Sequence, residues 1–219
     1  MGRVLGLETS TAAGSLALVE DGRTVGESEI DTRLDHSARL LPTLDKLLRW
    51  AGWEVADLDA VAVGLGPGSF TGIRVGLAAA QGLALGGSIP LFGVGSFPAL
   101  VRGSVLDKGI VVPLLDAGRG RIYGGRYSRN GSGIEELLPP RVIGEDGLEE
   151  LVRGAHIVTP DGPRFRPILE ALGVREWEEG FPRARWIAGL AGERMEYDPT
   201  DELHTAEPIY LSELKYSAG

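Results

Sequence analysis

At 219 residues and 43% apolar, the chain is long enough for one large or two small domains and apolar enough for a proper core, which excludes general disorder. It contains no cysteine, so disulfides, thiolate metal sites and cysteine nucleophiles are excluded together. Its net charge of −9, from 22 basic and 31 acidic residues, makes it a poor stand-alone binder of nucleic acid, whose affinity depends on neutralising phosphates.

The first hundred residues read β-β-β-α-β-α-β-α. Val4–Glu8 predicts a strand, and Gly14–Glu20 a second after the turn Thr9-Ser10-Thr11-Ala12-Ala13. Asp21-Gly22 is a hairpin signal leading into a third strand over Thr24–Ile30. A helix from about Ser37 to Ala51 is expected to bury Leu40, Leu41, Leu44, Leu47 and Leu48, with Gly52 closing it. Pro42 is acceptable only near the first turn, which predicts an irregular start. His36, just before this helix, reads as a structural residue at the helix start. Next come a strand over Ala60–Val63, a Gly-Pro-Gly turn, a helix over Gly72–Gly86, a strand over Pro90–Val94 and a short helix near Ser96–Val101.

The second half repeats this layout in reduced form. Ile110–Asp116 and Arg121–Tyr127 predict a hairpin, with a third strand near Ile134–Leu138. A helix over Asp146–Arg153, a strand over His156–Thr159 and helices near Phe165–Leu172 and Trp186–Glu196 follow, before the tail Pro208–Lys215. Two such units in tandem match a ribonuclease-H-like duplication, the α/β architecture of the actin, sugar-kinase and heat-shock ATPase superfamily, with mixed sheets flanked by helices. The expected domains are 1–103 and 104–219, the last helix or tail returning to the first. The opening residues read as a strand and lack a signal-peptide layout, and no run reaches the roughly 18–20 apolar residues of a membrane span. The expected location is the cytoplasm.

The segment from Gly64 to Gly76 carries the most information. Ser69 or Thr71 can cap the following helix through its hydroxyl. A strand, glycine turn and helix start in this order is a candidate anion site, but no Gly-Lys-Ser/Thr follows, so it is not a Walker A loop. On the helix, Gly72, Gly76, Ala79, Gly82 and Gly86 share about one third of the circumference, while Ile73, Leu77 and Ala84 gather on a neighbouring face. Each interior glycine costs about 0.8–1 kcal/mol relative to alanine. Two readings follow: close packing of the stripe on the chain's own sheet, or contact with a partner helix.

Other candidates are fewer. Glu8 ends a buried strand where superfamily ATPases keep an acid for magnesium and water. Thr9, Ser10 and Thr11 could cradle a phosphate through hydroxyls and amides, giving weak ATP or ADP binding, or could simply shape the hairpin turn. The basic residues Arg102, Lys108, Arg119, Arg121, Arg126 and Arg129 read as a solvated strand pair.

Four blocks, Leu7-Glu8-Thr9-Ser10-Thr11, His36-Ser37-Ala38-Arg39-Leu40-Leu41-Pro42, the segment from Gly66 to Gly76, and Asp116-Ala117-Gly118-Arg119, occur in the order of the TsaB (YeaZ) family, which the chain resembles. The resemblance is dense through about residue 127 and thin beyond it, apart from Pro208-Ile209-Tyr210-Leu211. Glu8 stands where the family usually has Asp, and Gly118 interrupts the usual Asp-Ala-Arg. The resemblance implies a non-catalytic partner of TsaD in tRNA threonylcarbamoyladenosine modification, with no catalytic residues of its own. It further implies TsaE joining through the TsaB–TsaD pair, tRNA met mainly through the complex, and self-association when TsaD is absent. The implied interface lies on the two helices, at Leu40, Leu44, Leu47, Gly72, Arg74, Val75, Gly76, Ala79 and Gly82. TsaD carries a metal-binding His-x-x-x-His pair where this chain has Ser96 and Leu100, and the three histidines here, His36, His156 and His204, form no such pair, so no metal is expected. An acetate- or sugar-kinase-like phosphotransferase would share the fold and is the alternative. A glycoprotein endopeptidase would need the missing ligands.

Overall fold

The computed structural model describes residues 2–31 and 36–211, with the side chains of residues 36–38 outside that description. The chain divides into two compact units. One gathers Met1–Ala99 with Pro182–Ile209, and the other is built on Leu100–Phe181.

In the first unit, β1 (Arg3–Glu8), β2 (Ala13–Glu20) and β3 (Arg23–Asp31) form an antiparallel meander, and β4 (Ala60–Gly64) and β5 (Leu91–Val94) extend it in parallel. The strand order is β3-β2-β1-β4-β5. Asp21 and Gly22 turn the second hairpin with φ of 49° and 77°, the left-handed pair that a two-residue turn requires. The central strands are apolar at successive positions because both faces are covered. Alternation sends Leu5, Leu7, Leu16, Leu18, Val61 and Val63 to one face. There they meet Leu40, Leu44, Leu47 and Leu48 of α1 (His36–Ala51) and Leu77, Ala80 and Ala84 of α2 (Phe70–Gly87). Val4, Val19, Ala60, Ala62 and Phe92 point the other way. α3 (Ser96–Gly103) follows β5.

The second unit repeats the topology. β6 (Lys108–Gly118), β7 (Arg121–Asn130) and β8 (Gly133–Ile143) form the meander, β9 (His156–Thr159) pairs in parallel with β6, and the two-residue β10 (Glu178–Glu179) lies at the edge. The order β10-β9-β6-β7-β8 is that of the first unit written backwards. α4 (Leu148–Val152) and α5 (Gly162–Ala171) cover a core of Val112, Leu114, Ile122, Ile157, Phe165 and Leu169. Two copies of one β-β-β-α-β-α order establish the tandem ribonuclease-H-like class.

Local details depart from the sequence expectation. α1 runs from His36 straight through Pro42, which stands in its second turn. The helix expected over 146–153 is a 3-10 turn, Glu145–Gly147, followed by α4. The first boundary falls after Ala99 rather than 103. α6 (Ala184–Met195) covers the free face of the first sheet through Ile187, Ala188 and Ala191. It sits so close to β1 that a Cβ on Gly6 would fall on the carbonyl oxygen of Ala184. The Ala184 amide donates to the Ser15 hydroxyl at 2.8 Å. Among the described residues no helix is long and apolar enough to cross a membrane.

The seating of α6 makes Gly6 intolerant of any side chain. Gly6→Ala should lower the unfolding free energy by about 1–3 kcal/mol, the usual cost of overpacking a filled interior. Urea denaturation followed by tryptophan fluorescence measures it, and an unchanged midpoint would contradict the close approach of helix and strand.

Candidate functional site

β1 ends by placing Glu8 in the interior, fully shielded from solvent at 0% exposure. Its Oε1 accepts the Ser10 amide at 2.6 Å and its Oε2 accepts the Ser96 hydroxyl at 2.8 Å. Ser96 Oγ in turn accepts the Gly66 amide at 3.2 Å, and the Ser96 amide donates to the Gly66 carbonyl at 2.8 Å. The carboxyl thus ties the end of β1 to the start of α3 and to the loop that opens α2. Burial pushes it above the usual carboxylate range, opposed by the hydrogen bonds from Ser10 and Ser96.

The turn after Glu8 is locked to α2. The Thr9 hydroxyl donates to the Gly72 carbonyl at 2.8 Å, and the Ser10 carbonyl accepts the Ser69 amide at 2.7 Å. Ser69 is the N-cap, its hydroxyl accepting the Gly72 amide at 3.2 Å. A Cβ on Gly72 would fall on the Thr9 carbonyl oxygen, and one on Gly76 on the Thr9 hydroxyl. Both glycines exist so that the turn can touch the helix backbone. Of the groups expected to cradle a phosphate at Glu8, Thr9, Ser10 and Thr11, the Glu8 carboxyl, the Thr9 hydroxyl and the Ser10 amide and carbonyl are already engaged within the chain, while the Ser10 hydroxyl is buried with no hydrogen-bond partner. Thr11 adds a bond from its hydroxyl to the Ala13 carbonyl at 3.2 Å. A nucleotide would have to displace these bonds. Of the positions aligned with a His-x-x-x-His pair, Ser96 belongs to the Glu8 network and Leu100 is buried. Among the described residues no group of three His, Cys, Asp or Glu is placed to hold a metal.

The residues expected at an interface separate into two sets. Leu40, Leu44 and Leu47 are core, at 2%, 3% and 8% exposure, and Gly72 and Gly76 face Thr9. These five lie inside the unit, which corrects their placement on a docking face. Arg74 and Gly82 are exposed, and Val75 and Ala79 half-buried. The outward face of α2 also presents Phe70 at 54% and Leu85 at 67%, with Ala78 between them. The neighbouring α1 presents Leu41 at 52%, which was expected in the core. The Arg74 guanidinium lies 3.7 Å from the centroid of the Phe70 ring. Phe70, Ala78 and Leu85 form their own line at helical spacing, but the sequence alone cannot tell which side of the glycine stripe is covered. His36 has its side chain outside the described residues.

In the second unit the basic residues expected as a solvated strand pair are partly structural. Arg129 is 8% exposed; its guanidinium donates to the Val101 carbonyl at 3.1 Å and pairs with Asp107 at 3.1 Å. Arg126 donates to the carbonyls of Leu151 and Arg153 at 2.6 and 3.0 Å. Lys108 and Arg119 are exposed, and Arg102 and Arg121 half-buried.

A family model described as TsaD, tRNA N6-adenosine threonylcarbamoyltransferase, matches residues 30–156. The chain is 33% identical to the Escherichia coli K12 tRNA threonylcarbamoyladenosine biosynthesis protein TsaB, over 95% of this chain and 94% of that one. It is 32% identical to the Bacillus subtilis 168 protein of the same name, over 95% and 93%. A crystal structure from Pseudomonas aeruginosa, described as similar to peptidase YeaZ, superposes with a TM-score of 0.82 at 27% identity, covering 97% of this chain and all of that one.

The raised Glu8 carboxyl has a definite sign in stability. The native state holds its proton more tightly than the unfolded chain, so this contribution is complete below the ordinary carboxylate range and is lost as pH rises through the raised value. Glu8→Gln, equal in length, should remove that decline. Glu8→Asp, one methylene short of Ser96, should lose about 1–3 kcal/mol, the cost of unmet buried polar groups. Urea melts from acid to mildly alkaline pH compare them; an Asp variant as stable as the parent would show that the reach to Ser96 is dispensable.

Proposed function

The chain belongs to the TsaB (YeaZ) family of tRNA threonylcarbamoyladenosine biosynthesis proteins, and on that premise we propose that it is a non-catalytic subunit which docks a TsaD-type threonylcarbamoyltransferase. The observation that carries this reading is the outward face of α2. Phe70, Ala78, Gly82 and Leu85 expose apolar or small surface with Arg74 as the single charge, and Leu41 continues it on α1. Large exposed apolar side chains gathered on one face mark a site of protein contact. A helix pair from the partner fits such a face, because Gly82 has open space where a ridge can settle.

In this reading the partner holds the chemistry, the transfer of threonylcarbamoyl from its adenylate to the adenosine beside the anticodon of ANN-decoding tRNAs. This chain supplies a rigid platform. The Glu8 network and the Thr9 turn fix the register of α2 against the sheet, so the face is preorganised. TsaE joins through the pair, and the same face closes a homodimer when the partner is absent. The complex works in the cytoplasm, where its tRNA substrate is. ATP or ADP, if bound by this chain, binds weakly, since the Thr9 hydroxyl and the Ser10 amide of the turn that would receive phosphate are committed to internal bonds.

Omission from a reconstituted mixture of this chain, TsaD, TsaE, the adenylate donor and tRNA tests the assignment. Modified adenosine should require both this chain and TsaD, and this chain with tRNA and donor alone should yield none. Leu85→Asp and Gly82→Leu should each weaken co-elution with TsaD by about tenfold or more, as truncations or blocks at an interface centre do, with unchanged melting. Full co-elution of both variants would remove α2 from the interface.

A further inference from the structure

A second feature lies on the flank of α1 that borders its leucine core. β3 and α1 enclose a cavity of about 310 Å³ lined by Gly26, Glu27, Ser28, Thr43, Lys46, Leu47 and Trp50. Trp50 is 72% exposed, yet its orientation is set, because its ring edge rests on Gly26, where a Cβ would stand 2.9 Å from Cζ3. At 100° per residue, Arg39, Thr43, Lys46 and Trp50 fall within about 60° of one another and form one ridge along the helix. Arg39 and Lys46 are exposed and have no hydrogen bond or ion pair among the described residues.

Two acids on the facing strand are already paired. Glu27 pairs with Arg185 at 3.3 Å and Glu29 pairs with Arg183, both arginines flanking or within α6. Two of the three acids of β3 are thereby paired, Asp31 being the third, and the ridge stands as a local cationic line on a chain whose net charge is −9. Cations interleaved with an exposed indole are the pattern that holds unpaired nucleotides, the bases stacking on the ring and the backbone meeting the cations.

We propose that this cavity receives an unpaired nucleotide of an RNA. The base stacks on Trp50, its edge meets the hydroxyls of Ser28 and Thr43, and phosphates meet Lys46 and Arg39. An acidic peptide would satisfy the cations and leave the indole and both hydroxyls unmatched. This contact adds to the docking role and rests on the same reading that the complex acts on tRNA. It assigns RNA contact to a face separate from Phe70 and Leu85.

The test uses the full chain at low ionic strength and a fluorescently labelled RNA hairpin with an unpaired loop, read by anisotropy. A fully paired duplex of the same composition and free ADP are offered as competitors. The hairpin should bind more tightly than the duplex, and ADP should compete only far above the hairpin concentration. Trp50→Ala should weaken hairpin binding by about tenfold, within the range for one lost base stack, and Trp50→Phe should restore most of it. Lys46→Gln should weaken binding and flatten its salt dependence by about one phosphate contact. All three variants should melt like the parent and co-elute with TsaD unchanged, which separates this proposal from the docking assignment. Absent hairpin binding, equal duplex binding, equal potency of ADP, or an unaffected Trp50→Ala variant would each overturn it. Loss of TsaD co-elution in Trp50→Ala would overturn it as well, by placing the ridge on the protein interface.

Discussion

Contact between the Glu8-Thr9-Ser10 turn and the backbone of α2 is the constraint on which the first unit depends. A hairpin turn normally stays clear of a helix, because side chains on both hold their backbones apart. Here Gly72 and Gly76 remove those side chains, and the Thr9 hydroxyl reaches the Gly72 carbonyl directly. The Glu8 carboxyl closes the arrangement from behind by gathering Ser10 and Ser96. Such a knot of buried polar groups is favourable to the extent that its members are satisfied, as those of Glu8, Thr9 and Ser96 are, while the Ser10 hydroxyl is buried without a partner. Its consequence is positional: once the turn is seated, the start, tilt and outward face of α2 are determined.

The second unit reaches a related solution with the roles exchanged. In the first, the carboxyl belongs to the strand that enters the hairpin. In the second, Asp161, which follows β9, accepts the amide of Asp116 on β6 at 2.8 Å. Burial again pushes the acid upward, with the nearby Asp116 adding to the shift and its amide opposing it. Asp116 then steadies its own turn by accepting the Gly118 amide at 2.9 Å. Both units join the hairpin end of the central strand to the segment after the next parallel strand. The shared topology creates that neighbourhood, and each copy fills it with whatever acid its sequence provides.

What was legible in the sequence follows from how local each signal is. The Asp21-Gly22 turn, the Ser69 cap and the closure of α1 at Gly52 are written within a few residues, and all appear where expected. At Gly52, φ is +70° and the Trp53 amide returns to the Leu48 carbonyl at 2.9 Å. Element order sufficed for the duplicated fold, because short connections leave few topologies. The interface was only half legible. The leucines of α1 carry helical periodicity, but periodicity does not say whether a stripe faces a sheet or a partner. Leu41 was assigned inward for being a leucine among leucines. The covering of Gly72 and Gly76 comes from Thr9, more than sixty positions earlier, and no local pattern announces it. Trp50 likewise gains significance only beside Gly26 of another strand.

Four of the five glycines of α2 then divide by cause. Gly72 and Gly76 are required by the turn they touch. A Cβ on Gly82 or Gly86 would meet nothing within 4 Å. An exposed interior glycine costs a helix about 0.8–1 kcal/mol against alanine, so the folded chain alone gives no reason for Gly82. The proposed docking supplies one, by filling that space with a partner helix. Phe70 and Leu85 lie on the same outward half of the helix and are themselves poorly served by water. A surface that combines apolar side chains with a side-chain-free groove is well formed for receiving another helix and poorly formed for remaining bare. The first pair of glycines thus has its reason within the chain, and the proposed docking would give the second pair a reason outside it.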